Sequence, residues 1–559
     1  MSHSTFGPAY RRSALTTLAE KQFDVLVIGG GVVGAGAALD AASRGLKVAL
    51  VEAQDFAAGT SGRSSKLIHG GLRYLEQMDF RLVREALQER SLLLTTIAPH
   101  LVRPVSFLLP LHGHVWERLY IGSGVTLYDT MGGSRALPRH QQLTRSQALK
   151  IAPALRDDAL IGAIRYYDAQ VDDARHTLFL ARTAVQHGAT VLTRAKATDF
   201  LRDGERVVGA KVLDHETGTT ITIRASEVIN ATGVWTDEAQ KKLGGRHDFS
   251  VRASKGIHFL IPRERLNLDT GLILRTEKSV LFVIPWATHW IIGTTDTPYE
   301  GDREEPISDR ADIDYLLERV NSVLRDPITP EDVEGVFSGL RPLVAGTTAE
   351  TAKLSREHAI SRPFPGITLI AGGKLTTYRV MAKDVVDIAV DNLLLKVPES
   401  ITHRLPLLGA EGYPALQNRV RMLAERSGLS AGWIEHLLGR YGSCLDQLLE
   451  LVAQDASLGE PIEETSKYLK VEVVYAATHE AALHLDDVLV RRTRIAMEER
   501  DRGLSVAPEA ARLMAGVLGW DEQQVRREVQ AYSARVEAER ASEALPRLED
   551  AASGQARAV

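Results

Sequence analysis

Hydrophobic positions along the chain fall into two regimes. From residue 22 to about residue 395, short Val/Ile-rich runs alternate with stretches of helical spacing, as an α/β core requires. Beyond roughly Pro398 the spacing becomes helical throughout. Helices are predicted over Ala415 to Arg426, Ala431 to Tyr441, Leu445 to Ala456, Lys467 to Glu480, Pro508 to Leu518 and Asp521 to Ala541. Pro508 suits a first helical position, where its missing N–H leaves nothing unpaired. The organisation expected is an amino-terminal extension over 1–21, an α/β body over 22–395 and a helical carboxy-terminal domain over 396–545. An Ala/Arg/Glu/Ser-rich tail over 546–559 is expected to be disordered.

The first apolar run carries the most specific chemistry. Phe23 to Ile28 reads as a strand, Gly29-Gly30-Gly31-Val32-Val33-Gly34 as a tight turn opening a helix, and Lys47 to Glu52 as a second strand. Gly29 allows the turn, Gly31 lets a pyrophosphate approach the backbone, and Gly34 permits close helix–strand contact. The helix N-terminus presents unpaired N–H groups and a partial positive charge to phosphates. Glu52 lies eighteen residues after Gly34, where a carboxylate can accept from both ribose hydroxyls of an adenosine. The same carboxylate would repel a 2′-phosphate, which argues against NADP. An adenine dinucleotide is the expected ligand.

Three further segments select among dinucleotides. Gly59 to Tyr74 is rich in small and hydroxyl residues, suiting a passage along a phosphate and an aromatic ring. It offers Thr60, Ser61, Ser65, Lys66, His69, Gly70 and Gly71 as contacts. Val228 to Gly233 is a strand opening into a glycine turn, with Thr232 and Gly233 at its end. Ile367 to Arg379 is a strand, then Gly372-Gly373, then Lys374 and a helix start at Leu375 and Thr376. A positive helix end there stabilises negative charge on the N1–C2=O edge of a reduced flavin. Nicotinamide dissociates and does not need this third segment, whereas a permanently held flavin does. FAD is therefore the expected cofactor.

Length and charge narrow the remaining classes. At 559 residues the chain exceeds one compact core, and two or three domains are expected. A net charge of −5 gives no global field to recruit nucleic acid, so none is expected as a partner. The single cysteine, Cys444, excludes an intrachain disulfide, a four-cysteine iron–sulfur cluster and a cysteine-rich zinc site. No metal is expected, and a reducing compartment fits. Residues 1–21 lack the apolar core of a secretory signal, and the longest nearly apolar run, Val25 to Leu39, is too short to span a bilayer.

One stretch departs from the average. Between Arg63 and Arg145, eleven basic residues stand against six acidic ones, a net of +5. Trp116, Leu119, Tyr120, Ile121, Leu127 and Tyr128 fall inside it. Such a surface could rest on anionic lipid head groups. A solvated helix face with some arginines turned toward an anionic ligand would read the same, and both stay open.

With these segments in place, the chain resembles the FAD-dependent glycerol-3-phosphate dehydrogenases of the respiratory type. The resemblance rests on Ser64 to Leu75, Asn230 to Gly233, Ile284-Pro285-Trp286, Ile292 to Asp296, Ser338 to Leu343 and Gly372 to Arg379. It runs from about residue 20 past 520 and includes Val488 to Arg494 in the helical region. The fold it implies is α/β: an FAD-binding Rossmann-like domain, an interleaved mixed-sheet substrate domain and an all-α carboxy-terminal domain. The activity implied is oxidation of sn-glycerol 3-phosphate to dihydroxyacetone phosphate by hydride transfer from C2 to flavin N5, with electrons passing to a membrane quinone. The location implied is cytoplasmic, peripheral on the cytoplasmic face of a membrane, with a homodimer as the candidate assembly. By the same resemblance Arg73, Tyr74, Arg356 and Lys374 hold the phosphate, while His258 and Arg341 face the C2 hydroxyl. His258 suits a base because an imidazole titrates near neutral pH, and Arg341 suits an electrostatic role because it stays protonated.

Blander readings stand beside these. His258 precedes the strand-like run Phe259-Leu260-Ile261 and could be a satisfied core histidine, and Arg341 before Pro342 could be a solvated loop residue. Arg73 could pair with Glu76 at helical spacing. Lys374 at a helix start is disfavoured by the dipole, which makes a nearby anion the better reason for it. The chain shows no EF-hand-like loop, so calcium regulation is not expected, and no added internal segment of the oxygen-using oxidases. An oxygen-using glycerol-phosphate oxidase, an amino or 2-hydroxy acid oxidoreductase of the same fold, and an FAD-stabilised binding module are the competing functions.

Overall fold

The computed structural model describes residues 5–71, 79–112, 115–131, 137–244, 249–276, 280–345, 358–393, 395–463 and 466–544, with backbone alone over 115–121. Its centre is a mainly parallel sheet built on the glycine turn. Gln22–Ile28 pairs in parallel with Val48–Val51 on one side and Thr220–Asn230 on the other. Thr190–Leu192 extends the first side, and Ile367–Gly372 extends the second in parallel before the antiparallel edge strand His358–Phe364. The central strand is apolar on both faces, as a parallel strand covered on both sides must be. One cover is the small-residue helix Val32–Ser43, whose alanines and glycines let helices Asp173–Gln186 and Tyr378–Val390 close on it.

A second, largely antiparallel sheet supplies the other half of the body. Its longest ladder joins Ser250–Pro262 to Gly335–Ala345, and another joins Val102–Leu111 to Gly162–Val171. The short strand Leu67–Ile68 pairs with Ala169 and Gln170 of that ladder, so the segment leaving the dinucleotide turn is stitched into the second sheet. That stitch brings the two sheets' chemistry together.

The amino-terminal segment is more than an extension. Pro8–Glu20 is a helix, and Ala14 and Leu18 are buried. Tyr10 accepts from the Val191 amide at 2.9 Å, and Arg11 pairs with Asp214. Pro at the helix start and apolar side chains at 10, 14 and 18 give it one buried stripe.

The carboxy-terminal region is helical. Ala431–Tyr441, Leu445–Gln454, Lys470–His479, Ala507–Leu518 and Glu522–Ala544 follow the predicted pattern, while the first predicted helix divides into Tyr413–Gln417 and Val420–Ser427. This region meets the body through buried ion pairs rather than an apolar seam alone. Arg492 grips Asp55 with two nitrogens at 2.7 and 2.8 Å, and Arg175 reaches Glu480 at 2.7 Å.

Candidate active site

Register between two long strands builds the reactive wall. On the Ser250–Pro262 ladder, His258 stands opposite Phe337, Gly256 opposite Gly339 and Ser254 opposite Arg341. Alternation along the strand puts Ser254, Gly256 and His258 on one face. The His258 imidazole stacks on Phe337, with centroids 4.8 Å apart and planes 10° apart. Gly293 pairs with His258 from the neighbouring strand, and a Cβ at that glycine would stand 2.3 Å from His258 Cδ2. Gly256 makes room in the same way, since its Cβ would meet the Arg341 guanidinium at 2.6 Å. The guanidinium donates to Thr294 Oγ1 at 3.1 Å, to the Thr295 carbonyl at 3.0 Å and to Asp296 at 3.1 Å. Arg341 is thus a strand residue, not a solvated loop residue.

The electrostatics suit proton acceptance. His258 Nε2 lies 2.8 Å from Ser65 Oγ, and Nδ1 has no hydrogen-bond partner among the described residues. Burial first, then the Arg341 and Lys66 cations, hold the imidazole well below its ordinary pKa. The ring is therefore neutral near physiological pH, the form that can take a proton.

A cavity of about 650 Å³ joins this wall to the dinucleotide turn. From the first unit Gly29, Gly31, Glu52, Thr60, Ser61, Ser65 and His69 line it. Thr232, Gly233, Gly372, Gly373, Leu375 and Thr376 line it from the two later segments, together with His258, Arg341 and Lys374. Lys374 precedes the turn Leu375–Thr377 in extended conformation, ahead of helix Tyr378–Val390. The Thr376 hydroxyl accepts from the His69 amide at 3.0 Å and donates to the His69 carbonyl at 3.2 Å, tying the late segment to the early one. Arg73, Tyr74 and Arg356 lie outside the described residues.

Four expected contacts lie elsewhere. Gly34 sits behind the turn, and Gly70 and Gly71 are buried, with the Gly70 amide donating to the Tyr128 hydroxyl at 2.8 Å. Lys66 turns its ammonium into the protein, 2.8 Å from Asp173 and 3.3 Å from the Gly62 carbonyl. A fully buried ammonium takes the carboxylate within reach, so this cation faces Asp173 rather than the cavity. Glu52 also has a duty within the turn itself. Its carboxylate accepts from the Gly30 and Gln54 amides at 2.5 and 2.8 Å and so pins the glycine turn to the second strand. Burial raises its pKa despite those two donors.

The residues present fit FAD. Gly29 adopts φ +111° and Gly31 caps the helix whose positive end opens onto the cavity and favours a pyrophosphate there, with the Val32 amide donating to the Ser61 hydroxyl at 2.9 Å. A Cβ at Gly34 would stand 1.9 Å from the Gly29 carbonyl oxygen, so the turn keeps its shape only with glycine there. Gly34→Ala is expected to weaken FAD binding about ten- to a hundredfold, measured by fluorescence titration of the apoprotein. Unaltered affinity would contradict this account of the cradle.

Comparison with known proteins agrees with this geometry. The FAD-dependent oxidoreductase family matches residues 24–384, and the family described as the C-terminal domain of alpha-glycerophosphate oxidase matches residues 400–525. Glycerol-3-phosphate dehydrogenase 2 of Mycobacterium tuberculosis is 54% identical over 97% of this chain and 93% of its own. The aerobic glycerol-3-phosphate dehydrogenase of Staphylococcus haemolyticus is 37% identical over 85% of this chain and 87% of its own. A solved glycerol-3-phosphate dehydrogenase from Bacillus halodurans, complexed with FAD, superposes with a TM-score of 0.78. It is 31% identical and covers 95% of this chain and 98% of its own. A cavity shaped for a dinucleotide, walled by a neutral imidazole and a guanidinium, thus occurs in a chain that belongs to the FAD-dependent glycerol-3-phosphate dehydrogenases.

Proposed function

We propose that this protein oxidises sn-glycerol 3-phosphate at C2 to dihydroxyacetone phosphate and passes the electrons to a membrane quinone. The observation that carries the reading is the pairing of neutral His258 with Arg341 on one wall of the FAD cavity. FAD, when bound, supplies a two-electron acceptor for the C2 hydrogen. His258 takes the C2 hydroxyl proton on Nε2 through the Ser65 hydroxyl, which stands 2.8 Å from that nitrogen and gives up its own proton as it accepts the substrate's. Arg341, fixed by three oxygen acceptors, steadies the substrate oxygen as negative charge grows on it. Lys374, with Arg73, Tyr74 and Arg356, holds the phosphate, because a dianion calls for several fixed donors. A steady-state panel with an artificial electron acceptor tests this. Glycerol 3-phosphate should turn over, while D-alanine and 2-hydroxyglutarate should not; turnover of either acid in its place would overturn the assignment.

Attachment to the membrane surface is the second element of the proposal. Among the described residues no helix is long and apolar enough to cross a membrane. On helix Phe80–Leu92, Arg81 and Arg84 are exposed beside Phe80, and Leu127 is exposed on the helix Val115–Met131. Lys66, Arg90 and Tyr128 do not belong to that surface, since all three are buried and the last two converge on Asp168. The side chains of Trp116, Leu119, Tyr120 and Ile121 lie outside the described residues. The protein is expected to co-sediment with anionic vesicles at low salt and to leave them as salt rises. Failure to bind at low salt would contradict peripheral attachment.

A further inference from the structure

The motif Val488 to Arg494 has no part in the chemistry described so far, yet its last residue reaches from the helical region to Gly62, inside the segment whose Ser61, Ser64 and Ser65 line the cavity. Arg494 is buried, and its guanidinium donates to Asp173 Oδ1 at 2.6 Å, to Asp172, and to the Gly62 carbonyl at 3.4 Å. Asp173, at the start of helix Asp173–Gln186, is itself a hub. Its Oδ1 also accepts from the Lys66 ammonium at 2.8 Å, and its Oδ2 accepts from the Ser64 amide and hydroxyl at 2.9 and 2.7 Å. Lys66 adopts φ +58°, a left-handed conformation that a lysine keeps only when its surroundings hold it. Between the two tethered residues sits Ser65, whose hydroxyl meets His258 Nε2.

We propose that Arg494 is a positioning residue of the active site, acting through Asp173 to clamp Ser64 and Lys66 and so to fix the Ser65–His258 contact. This rests on the assignment of His258 as proton acceptor. The logic is one of charge and geometry. Asp173 is buried among two cations and three hydroxyl or amide donors, so it cannot move without stranding them. Arg494 supplies a planar fork that joins Asp172, Asp173 and Gly62 at once, which a lysine cannot reproduce. Ser65 then has one position relative to the imidazole. A shift of about an ångström there is enough to lower turnover on the order of a hundredfold.

The test uses the FAD-loaded full chain. Arg494→Lys is expected to lower kcat by roughly ten- to a hundredfold with little change in KM, and to shift the imidazole nitrogen resonances of His258. Ser64→Ala, which removes one tether to Asp173 without touching the helical region, should shift the same resonances in the same direction. In a Ser65→Ala background, Arg494→Lys should cost kcat little more, because the contact it serves is already gone. Arg502→Lys is the control. Arg502 is an equally buried arginine of the helical region that pairs with Glu539 and Glu543, so it should lower Tm while leaving kcat and the His258 resonances alone. Unmoved His258 resonances in both Arg494→Lys and Ser64→Ala, or kcat losses that simply add in the double variant, would overturn the proposal. The resonances report the clamp whether or not His258 is the base, whereas unchanged kcat in His258→Ala would sink the base assignment alone.

Discussion

Replacing His258 with alanine is expected to lower kcat for glycerol 3-phosphate by about a thousandfold while KM changes little. The residue receives the proton that the C2 hydroxyl loses, so its loss falls on the chemical step rather than on binding. Truncation also removes the stack on Phe337 and leaves space beside Gly293, but neither feature holds the phosphate. The pH behaviour follows from the same surroundings. Burial, Arg341 and Lys66 depress the imidazole pKa, so the ring stays neutral from alkaline pH down through its ordinary value of about 6.5. It protonates only well below that point. Nitrogen resonances of His258 in the resting enzyme should therefore remain those of a neutral ring at pH 6, and a charged ring at that pH would contradict the account. The sign extends to stability: a histidine held below its unfolded value contributes fully above about pH 6.5 and loses that contribution as the pH falls.

Glu480→Gln is expected to destabilise the protein by about 3–5 kcal/mol, the largest stability effect foreseen from a single uncharged replacement. Glu480 is fully buried and faces two arginines, Arg175 at 2.7 Å and Arg182 at 3.4 Å. Arg175 also donates to the carbonyls of Arg440 and Arg492, so it cannot swing out to water when its carboxylate is lost. Two guanidiniums would remain in the interior without their counter-ion. Burial by itself pushes the Glu480 carboxyl up, but Arg175, Arg182 and Arg492 outweigh it and hold the group below the ordinary carboxylate range. A depressed carboxylate gives stability that is present above its unfolded pKa and lost as the pH falls through the folded value. Glu472, held down to about 2 by His436 and Arg440 against its burial, works in the same sense. Acid should thus loosen the helical region between about pH 4 and pH 2. A thermal melt of Glu480→Gln followed by flavin release would show the loss, and an unchanged Tm would refute it.

The dinucleotide turn was legible because its information is local. Strand, glycines, helix and acid follow one another within 29 residues from Asp24 to Glu52, and each has one physical task. The later segments at Thr232 and Gly372 could be read for the same reason, as strands running into glycine turns. Helix bounds were less secure. The predicted helix from Ala415 divides at Asn418 and Arg419, and the one predicted from Lys467 begins at Lys470, where Glu472 accepts from the Leu469 amide. The helix Pro8–Glu20 has a weaker signature, one short stripe of Tyr10, Ala14 and Leu18 at helical spacing, and reads as an extension until its packing partners are placed.

What was not legible depends on partners far apart in the chain. Lys66 looks like a cation for a phosphate until Asp173, 107 residues away, is placed beside it. Tyr128 looks like part of a lipid-facing patch until its hydroxyl meets Asp168. Arg341 looks like a loop residue because Pro342 follows it, yet it sits in a strand where it reaches across Gly256. Phe337, Gly256 and Gly293 carry no chemistry of their own. Only the ladder register shows that they seat the imidazole and the guanidinium.

The most direct measurement mixes the FAD-loaded protein with sn-glycerol 3-phosphate under anaerobic conditions and follows the visible flavin band. The account predicts bleaching within the time of one turnover, slowed several-fold when deuterium replaces the C2 hydrogen. A band unchanged by saturating glycerol 3-phosphate would contradict it.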